Sequence, residues 1–330
     1  MPYTHHSHSG SYCKHAHDTL DSVVNTAIKK NFKIFCLTEH VPRLDDAYIY
    51  PEEKELDMTP NSLMVQFNEY VKHARQLQEK VNNDSNINTK ILVGFESEGG
   101  INDEHLDMCL KLRKDINAEV IVGSVHHVNG IDIDFDQETW NIAFNKYNGL
   151  QGLYKEYFTL VKNMINKLKP EIVAHFDLIR LFANIEIIDD ETNKKTKISR
   201  EQRLNINIEN DWPEVWKLIN ESIDLIIEYD LAVELNSSAI RKGWDTPYPK
   251  DDIMKLMISK NVKFVLSDDS HGDDQVGLNY QFVMNYLIKL GVKNVFHYDI
   301  EDGKVVKKAV SLNELLNDPF WNINYPDYTF

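Results

Sequence analysis

Histidines and carboxylates recur in this chain at the ends of short apolar runs. His6-Ser7-His8 comes first, Ile34–Leu37 runs into Thr38-Glu39-His40, and Ile91–Phe95 runs into Glu96. Val120–Val125 then leads to His126-His127, Ile172–Ala174 to His175-Phe176-Asp177, and Phe264–Leu266 to Ser267-Asp268-Asp269-Ser270-His271. A seventh run, Ala232–Leu235, ends instead in Asn236-Ser237-Ser238. Imidazoles and carboxylates gathered without a matching set of lysines hold metal cations, so metal-dependent chemistry is expected. Side chains at i and i+2 of a strand point the same way, which lets His6 and His8 reach one cation; Asp269 and His271 repeat that spacing. Glu96 can bridge two cations through its two oxygens. Of the adjacent His126 and His127, one is expected to point inward. Asp268 and Asp269 stay open as alternatives, and His175 has a plainer reading as a buried histidine bonded to Asp177. Singly, each of these residues has an ordinary explanation, such as a helix cap for Glu96 or a satisfied loop histidine for His40. Six such strand ends in series do not.

The elements that must position these groups alternate. Apolar spacing near 3.6 residues predicts helices over Asp21–Lys30, Asn61–Val81, Glu104–Lys114, Leu153–Leu168, Glu214–Glu228, Asp251–Ser259 and Gln281–Leu290. Strand–helix alternation implies an α/β fold with parallel pairing and right-handed crossovers, which puts every strand C-terminus on one face. Two polar stretches, Asp45–Pro60 and Asn184–Asp211, interrupt the rhythm, and the second is expected to form a surface insertion or a lid. No linker divides the chain, so residues 1–330 are expected to form a single barrel-like domain.

Bulk properties narrow the class. The net charge of −16, from 36 basic and 52 acidic residues, disfavours nucleic acid as a partner. A small phosphate ester remains compatible, because bound cations dominate the local field. No apolar run approaches the ~18 residues of a membrane span. With the first motif at residue 6, no cleavable leader is expected upstream of it. Cys13, Cys36 and Cys109 lack Cys-x-x-Cys spacing, which fits a reducing compartment, so a cytoplasmic protein is expected.

In order, His6-Ser-His8, Thr-Glu39-His40, Gly-Phe-Glu96, Ser-Val-His126, Ala-His175-Phe-Asp and Ser-Asp-Asp269-Ser-His271 resemble the successive motifs of the PHP (polymerase and histidinol phosphatase) family. Residues 38–43, 123–130, 133–136 and 317–321 resemble its fungal histidinol-phosphatases, loop residues included. The resemblance implies a distorted, TIM-like (β/α)7 barrel with a trinuclear metal site at the C-terminal ends of the strands. Carried over by motif, a first cation would take His6, His8, Glu96 and Asp269, and a second would share Glu96 and add His126 and His175. The third would take His15, His40 and His271, with His17 as the alternative to His15. Zinc, iron and manganese all suit such mixed donor sets. The implied activity is hydrolysis of L-histidinol phosphate to L-histidinol and phosphate in histidine biosynthesis.

Neighbouring divalent ions ~3.5–4 Å apart can hold a bridging hydroxide for in-line attack on phosphorus, so neither a phospho-enzyme nor a Cys13 nucleophile is needed. For a cationic clamp on phosphate, Arg241, Lys242 and Arg43 are candidates, against the plainer reading of solvated surface charges. His127 and Glu39 are candidates to protonate the leaving alcohol. The acidic stretch Asp132–Asp136 could complement the amine and imidazole of the substrate. Two alternatives stand beside this reading. One is the same site acting on another phosphate ester or a nucleic-acid 3′ end, the latter disfavoured by charge. The other is a structural metal scaffold, disfavoured because structural sites are closed and typically single, whereas about nine ligands gather here.

Overall fold

The computed structural model describes residues 2–182 and 206–330, together with the backbone of the strands Ile185–Asp189 and Lys194–Ile198. The insertion or lid expected over 184–211 lies mostly outside the described residues. One nine-stranded sheet follows chain order: β1 (Tyr3–Thr4), β2 (Ile34–Leu37), β3 (Lys90–Glu96), β4 (Val120–Gly123), β5 (Ile172–Val173), β6 (Ala232–Asn236), β7 (Lys263–Ser267), β8 (Asn294–Glu301) and β9 (Lys304–Ser311). Neighbours from β1 to β8 pair in parallel, and only β8–β9 is an antiparallel hairpin. Just beyond β1 and β7 a parallel bridge joins Ser7 to Ser270, and the His8 amide donates to Ser270 O at 2.7 Å. The sheet thus curls back on itself, with its first and seventh strands brought together, as expected of a distorted (β/α)7 barrel.

The hairpin β8–β9 has no counterpart among the expected strands. It continues the sheet past β7, to which β8 is joined through the single register pair Val265–Phe296. The long helices fall where periodicity put them, within a few residues at each end. Thr19, Thr59 and Asn102 cap three of them by accepting from backbone amides three residues on, which satisfies donors that the first turn leaves free.

Helices cover the outside of the barrel, so strand residues are buried on both faces. In β3, Ile91, Leu92, Val93 and Phe95 are wholly buried, each such side chain contributing roughly 1.5–3 kcal/mol. Gly94 lies so close to β4 that a Cβ there would sit 1.7 Å from Val120 O. The Tyr70 hydroxyl lies 2.7 Å from Leu37 O and 2.8 Å from Gly94 O, tying the ends of β2 and β3 together two residues before Glu96. Among the described residues no helix is long and apolar enough to cross a membrane.

Candidate metal centre

Alternation along the chain after β1 aims His6 and His8 inward. The Ser7 hydroxyl donates to Cys36 O at 2.6 Å and its amide to Thr38 Oγ1 at 3.0 Å, so Ser7 faces β2. His6 and His8, on the opposite side, face the barrel axis. His6 Nε2 and His8 Nε2 are 3.0 Å apart and lie 3.1 and 3.2 Å from Glu96 Oε2. Asp269 Oδ1 is 3.6 Å from each of the two nitrogens. Bonds of about 2.0–2.1 Å to one cation space tetrahedral donors roughly 3.3–3.4 Å apart. These four groups, spread over three strand ends, fit a divalent cation.

The other oxygen of Glu96 serves a second group. Glu96 Oε1 is 3.2 Å from His126 Nε2 and 3.2 Å from His175 Nε2, and the two nitrogens are 3.3 Å apart. A single carboxylate thus presents one oxygen to each of two donor groups. Burial opposes the Glu96 charge, yet His6, His126 and His40 around it hold its carboxyl well below the usual range. The plainer reading of His175 does not apply, because Asp177 is engaged instead by Arg180 at 3.1 Å and the Lys250 amide at 3.0 Å.

A third group lies nearer the mouth. His8, Cys13, His40 and His271 bring donor atoms within 4.8 Å of one another. The His15 ring sits 5.4 Å from that of His40 and 5.0 Å from that of His271. His17 turns outward, half exposed, with Nε2 2.7 Å from Asp274. Asp269 adopts a left-handed backbone (φ 48°), a conformation that short polar side chains tolerate, and its carboxylate turns toward His6 and His8. Asp268 points elsewhere, accepting from Thr4 Oγ1 at 2.9 Å and the Gly277 amide at 2.7 Å.

Three buried carboxylates stand behind the donors. Glu234 Oε2 is 3.1 Å from His6 Nδ1, while its Oε1 accepts from the His175 amide at 2.7 Å. Glu98 accepts from Tyr50 OH at 2.8 Å and lies 3.0 Å from His126 Nδ1 and 3.1 Å from His40 Nδ1. Glu39 accepts from the Ser9 amide and hydroxyl at 2.8 and 2.7 Å, with its other oxygen 3.4 Å from His8 Nδ1. A carboxylate on the far ring nitrogen fixes tautomer and orientation, and losing one typically costs ~10–100-fold in metal affinity or activity. Glu234→Gln keeps the size and removes the charge, so roughly that loss is expected in both metal affinity and kcat. Metal titration beside steady-state kinetics checks it, and an unchanged affinity would contradict the positioning role.

Several residues marked in the sequence lie elsewhere. Glu39, locked beneath His8 by Ser9, does not reach the cavity over the metal centre, so it is not placed to protonate a leaving group. His127 turns away as well. It pairs with Asp132 in the two-stranded ribbon His127–Val128/Ile131–Asp132, and its ring stacks on Tyr50 at 6.2 Å, outside that cavity. Arg43 is buried, paired with Glu53, 3.7 Å from Glu98 and 4.3 Å over the Tyr50 ring, so it braces the wall rather than meeting solvent or phosphate. Removing one partner of such a buried pair costs ~3–5 kcal/mol. Arg43→Ala is therefore expected to lower the denaturation midpoint sharply, as read by urea titration. A change confined to KM would contradict the bracing role.

Arg241 and Lys242 do line the cavity of ≈ 290 Å³, where Arg241 Nη2 donates to Asp269 O at 3.1 Å. The same cavity is lined by Asp132, Asp134 and the partly exposed Phe135. Burial, with Asp134 beside it, pushes the Asp132 carboxyl up to about 8. Glu234 carries no signal a strand-end reading could use, since it lies in the middle of a strand, whereas Glu98 stands two residues past its strand, as Asp269 does, and repeats the i, i+2 spacing after Glu96.

Residues 4–238 match the family model described as "PHP domain". A Saccharomyces cerevisiae protein described as "Histidinol-phosphatase" is 34% identical, covering 97% of this chain and 99% of that protein. A Schizosaccharomyces pombe protein described as "Probable histidinol-phosphatase" is 38% identical over 89% of each. The crystal structure of histidinol phosphate phosphatase from Lactococcus lactis, complexed with zinc, L-histidinol and phosphate, matches with a TM-score of 0.60. That match covers 92% of this chain and 98% of that one at 15% identity, a likeness of fold.

Proposed function

The chain belongs to the PHP-domain family, and from that premise we propose that it is a histidinol-phosphatase, hydrolysing L-histidinol phosphate to L-histidinol and phosphate in histidine biosynthesis. One arrangement carries the reading. The two oxygens of Glu96 face two separate donor groups in a cavity that is also lined by Arg241 and Lys242 and by Asp132 and Asp134.

In this reading His6, His8, Glu96 and Asp269 hold one divalent cation, and Glu96, His126 and His175 a second. His15, His40 and His271 hold a third. Zinc, iron or manganese, when bound, would supply Lewis-acid neutralisation of charge on the phosphoryl oxygens. Arg241 and Lys242, on the cavity wall beside Asp269, orient the phosphoryl group. Asp132 and Asp134 in the same cavity receive the ammonium end of the substrate, with Phe135 beside the imidazole. The same acidic residues, together with the chain's net charge of −16, work against polynucleotide substrates. Three free thiols support a cytoplasmic location.

Phosphate release by the metal-loaded protein from L-histidinol phosphate, measured beside p-nitrophenyl phosphate, tests the assignment. A kcat/KM at least ~100-fold higher for L-histidinol phosphate is expected if the cavity recognises the amine and ring. Equal turnover of both esters would leave a phosphatase of other specificity.

A further inference from the structure

The third donor group contains a sulfur. Cys13 is 4% exposed, and its amide donates to Ser9 O at 2.9 Å, a turn that folds the residue back under the histidines. Each imidazole around it has its Nδ1 facing an oxygen. His15 Nδ1 lies 2.8 Å from Glu52 Oε1, His271 Nδ1 2.9 Å from Asp269 O, and His40 Nδ1 3.1 Å from both Glu98 Oε1 and Glu96 Oε2. That arrangement leaves the Nε2 lone pairs as the available donors. His15 Nε2 lies 3.1 Å from Cys13 Sγ, and the buried His40 Nε2 has no hydrogen-bond partner.

We propose that Cys13 is itself a ligand of this group, so that one thiolate joins the Nε2 atoms of His15, His40 and His271 around a soft divalent cation. The thiol proton leaves to solvent as the cation binds. A thiolate with three imidazoles selects zinc or cobalt over manganese and magnesium, whereas the Glu96 groups, with their oxygen donors, discriminate less. The inference rests on the metal-centre reading above and deepens it.

Full-length protein loaded with Co(II) provides the test. Expected is a thiolate-to-cobalt charge-transfer band in the near ultraviolet, lost in Cys13→Ser, which also retains one cobalt equivalent fewer through gel filtration. The buried Cys36 and Cys109 remain in that variant as thiol controls. Should Cys13→Ser fail to fold, 113Cd NMR of the wild-type protein asks the same question. A resonance shifted downfield by sulfur is expected, and only nitrogen- and oxygen-range signals would overturn the proposal. A charge-transfer band that persists in Cys13→Ser, or is missing from fully cobalt-loaded wild type, would overturn it too while leaving the metal centre standing. A protein that takes up no cobalt would bring down both readings.

Discussion

Glu96→Gln is expected to lower kcat by more than about a thousandfold while leaving the far-ultraviolet circular dichroism of the protein unchanged. Glutamine keeps the shape but loses the charge, and it offers one oxygen where the site uses two. In the native chain Oε2 meets His6 and His8 at 3.1 and 3.2 Å, and Oε1 meets His126 and His175 at 3.2 Å each. A glutamine must turn its NH2 toward one of these pairs of nitrogens, so one donor group loses its shared anionic ligand whichever way the amide settles. Neighbouring carboxylates cannot stand in for it. Glu98 faces Tyr50 and the far nitrogens of His126 and His40, and Glu234 is tied to His6 Nδ1 and the His175 amide. Metal analysis should show at least one equivalent fewer bound. Near-native kcat in a folded Glu96→Gln variant would falsify the bridging role.

Much of the barrel and part of the site were legible because two periodicities carry them. The i, i+2 spacing of His6 and His8 encodes a shared direction on an extended chain, and the structure brings both to Glu96. Most helices followed from apolar spacing, since their buried stripes are continuous: Leu63, Phe67, Tyr70, Ala74 and Leu77 all lie on one face of the helix Pro60–Asn82, whereas the helix Gln137–Lys146 went unexpected. What stayed hidden depends on pairing across the chain. Glu234 sits between Val233 and Leu235 in a strand with an unremarkable end, and its importance comes from His6, 228 positions away, and the His175 amide, 59 positions away. Arg43 follows His40 closely enough to suggest a phosphate clamp, but Glu53, ten residues on, draws it into the wall. The hairpin β8–β9 alternates too weakly to announce itself, since much of β9 is only half-buried.

Removing the cations should abolish turnover and also expose how the centre stabilises the fold. Glu39, Glu96, Glu98, Glu234 and Asp269 are all buried within one site, and without cations imidazolium charge is their main counterweight, beside Arg43 at Glu98 and Lys242 near Asp269. Burial opposes a charge on His8, but Glu39 and Glu96 outweigh it and raise its pKa to about 9. Burial likewise opposes a charge on His6 and His126, yet Glu96, with Asp269 and Glu98 respectively, holds both well above the ordinary histidine value. A folded-state pKa above the unfolded one stabilises fully below about 6.5 and loses that contribution as the pH climbs through the folded value. The stripped protein should therefore lose stability between roughly pH 6.5 and 9, where His8 sheds its proton, while His40 and His271, held below the ordinary value by burial, are already neutral. The loaded protein behaves oppositely, because imidazoles bind metal in their neutral form and affinity rises with pH. A cation at 100 times its Kd adds about 2.7 kcal/mol, so the gap in Tm between loaded and chelator-treated protein should widen from pH 6.5 to pH 9. Thermal unfolding followed at both pH values, with and without chelator, reads the gap directly. Identical Tm values at pH 9, or full turnover after stripping, would mean that the converging imidazoles and carboxylates are held by protons alone.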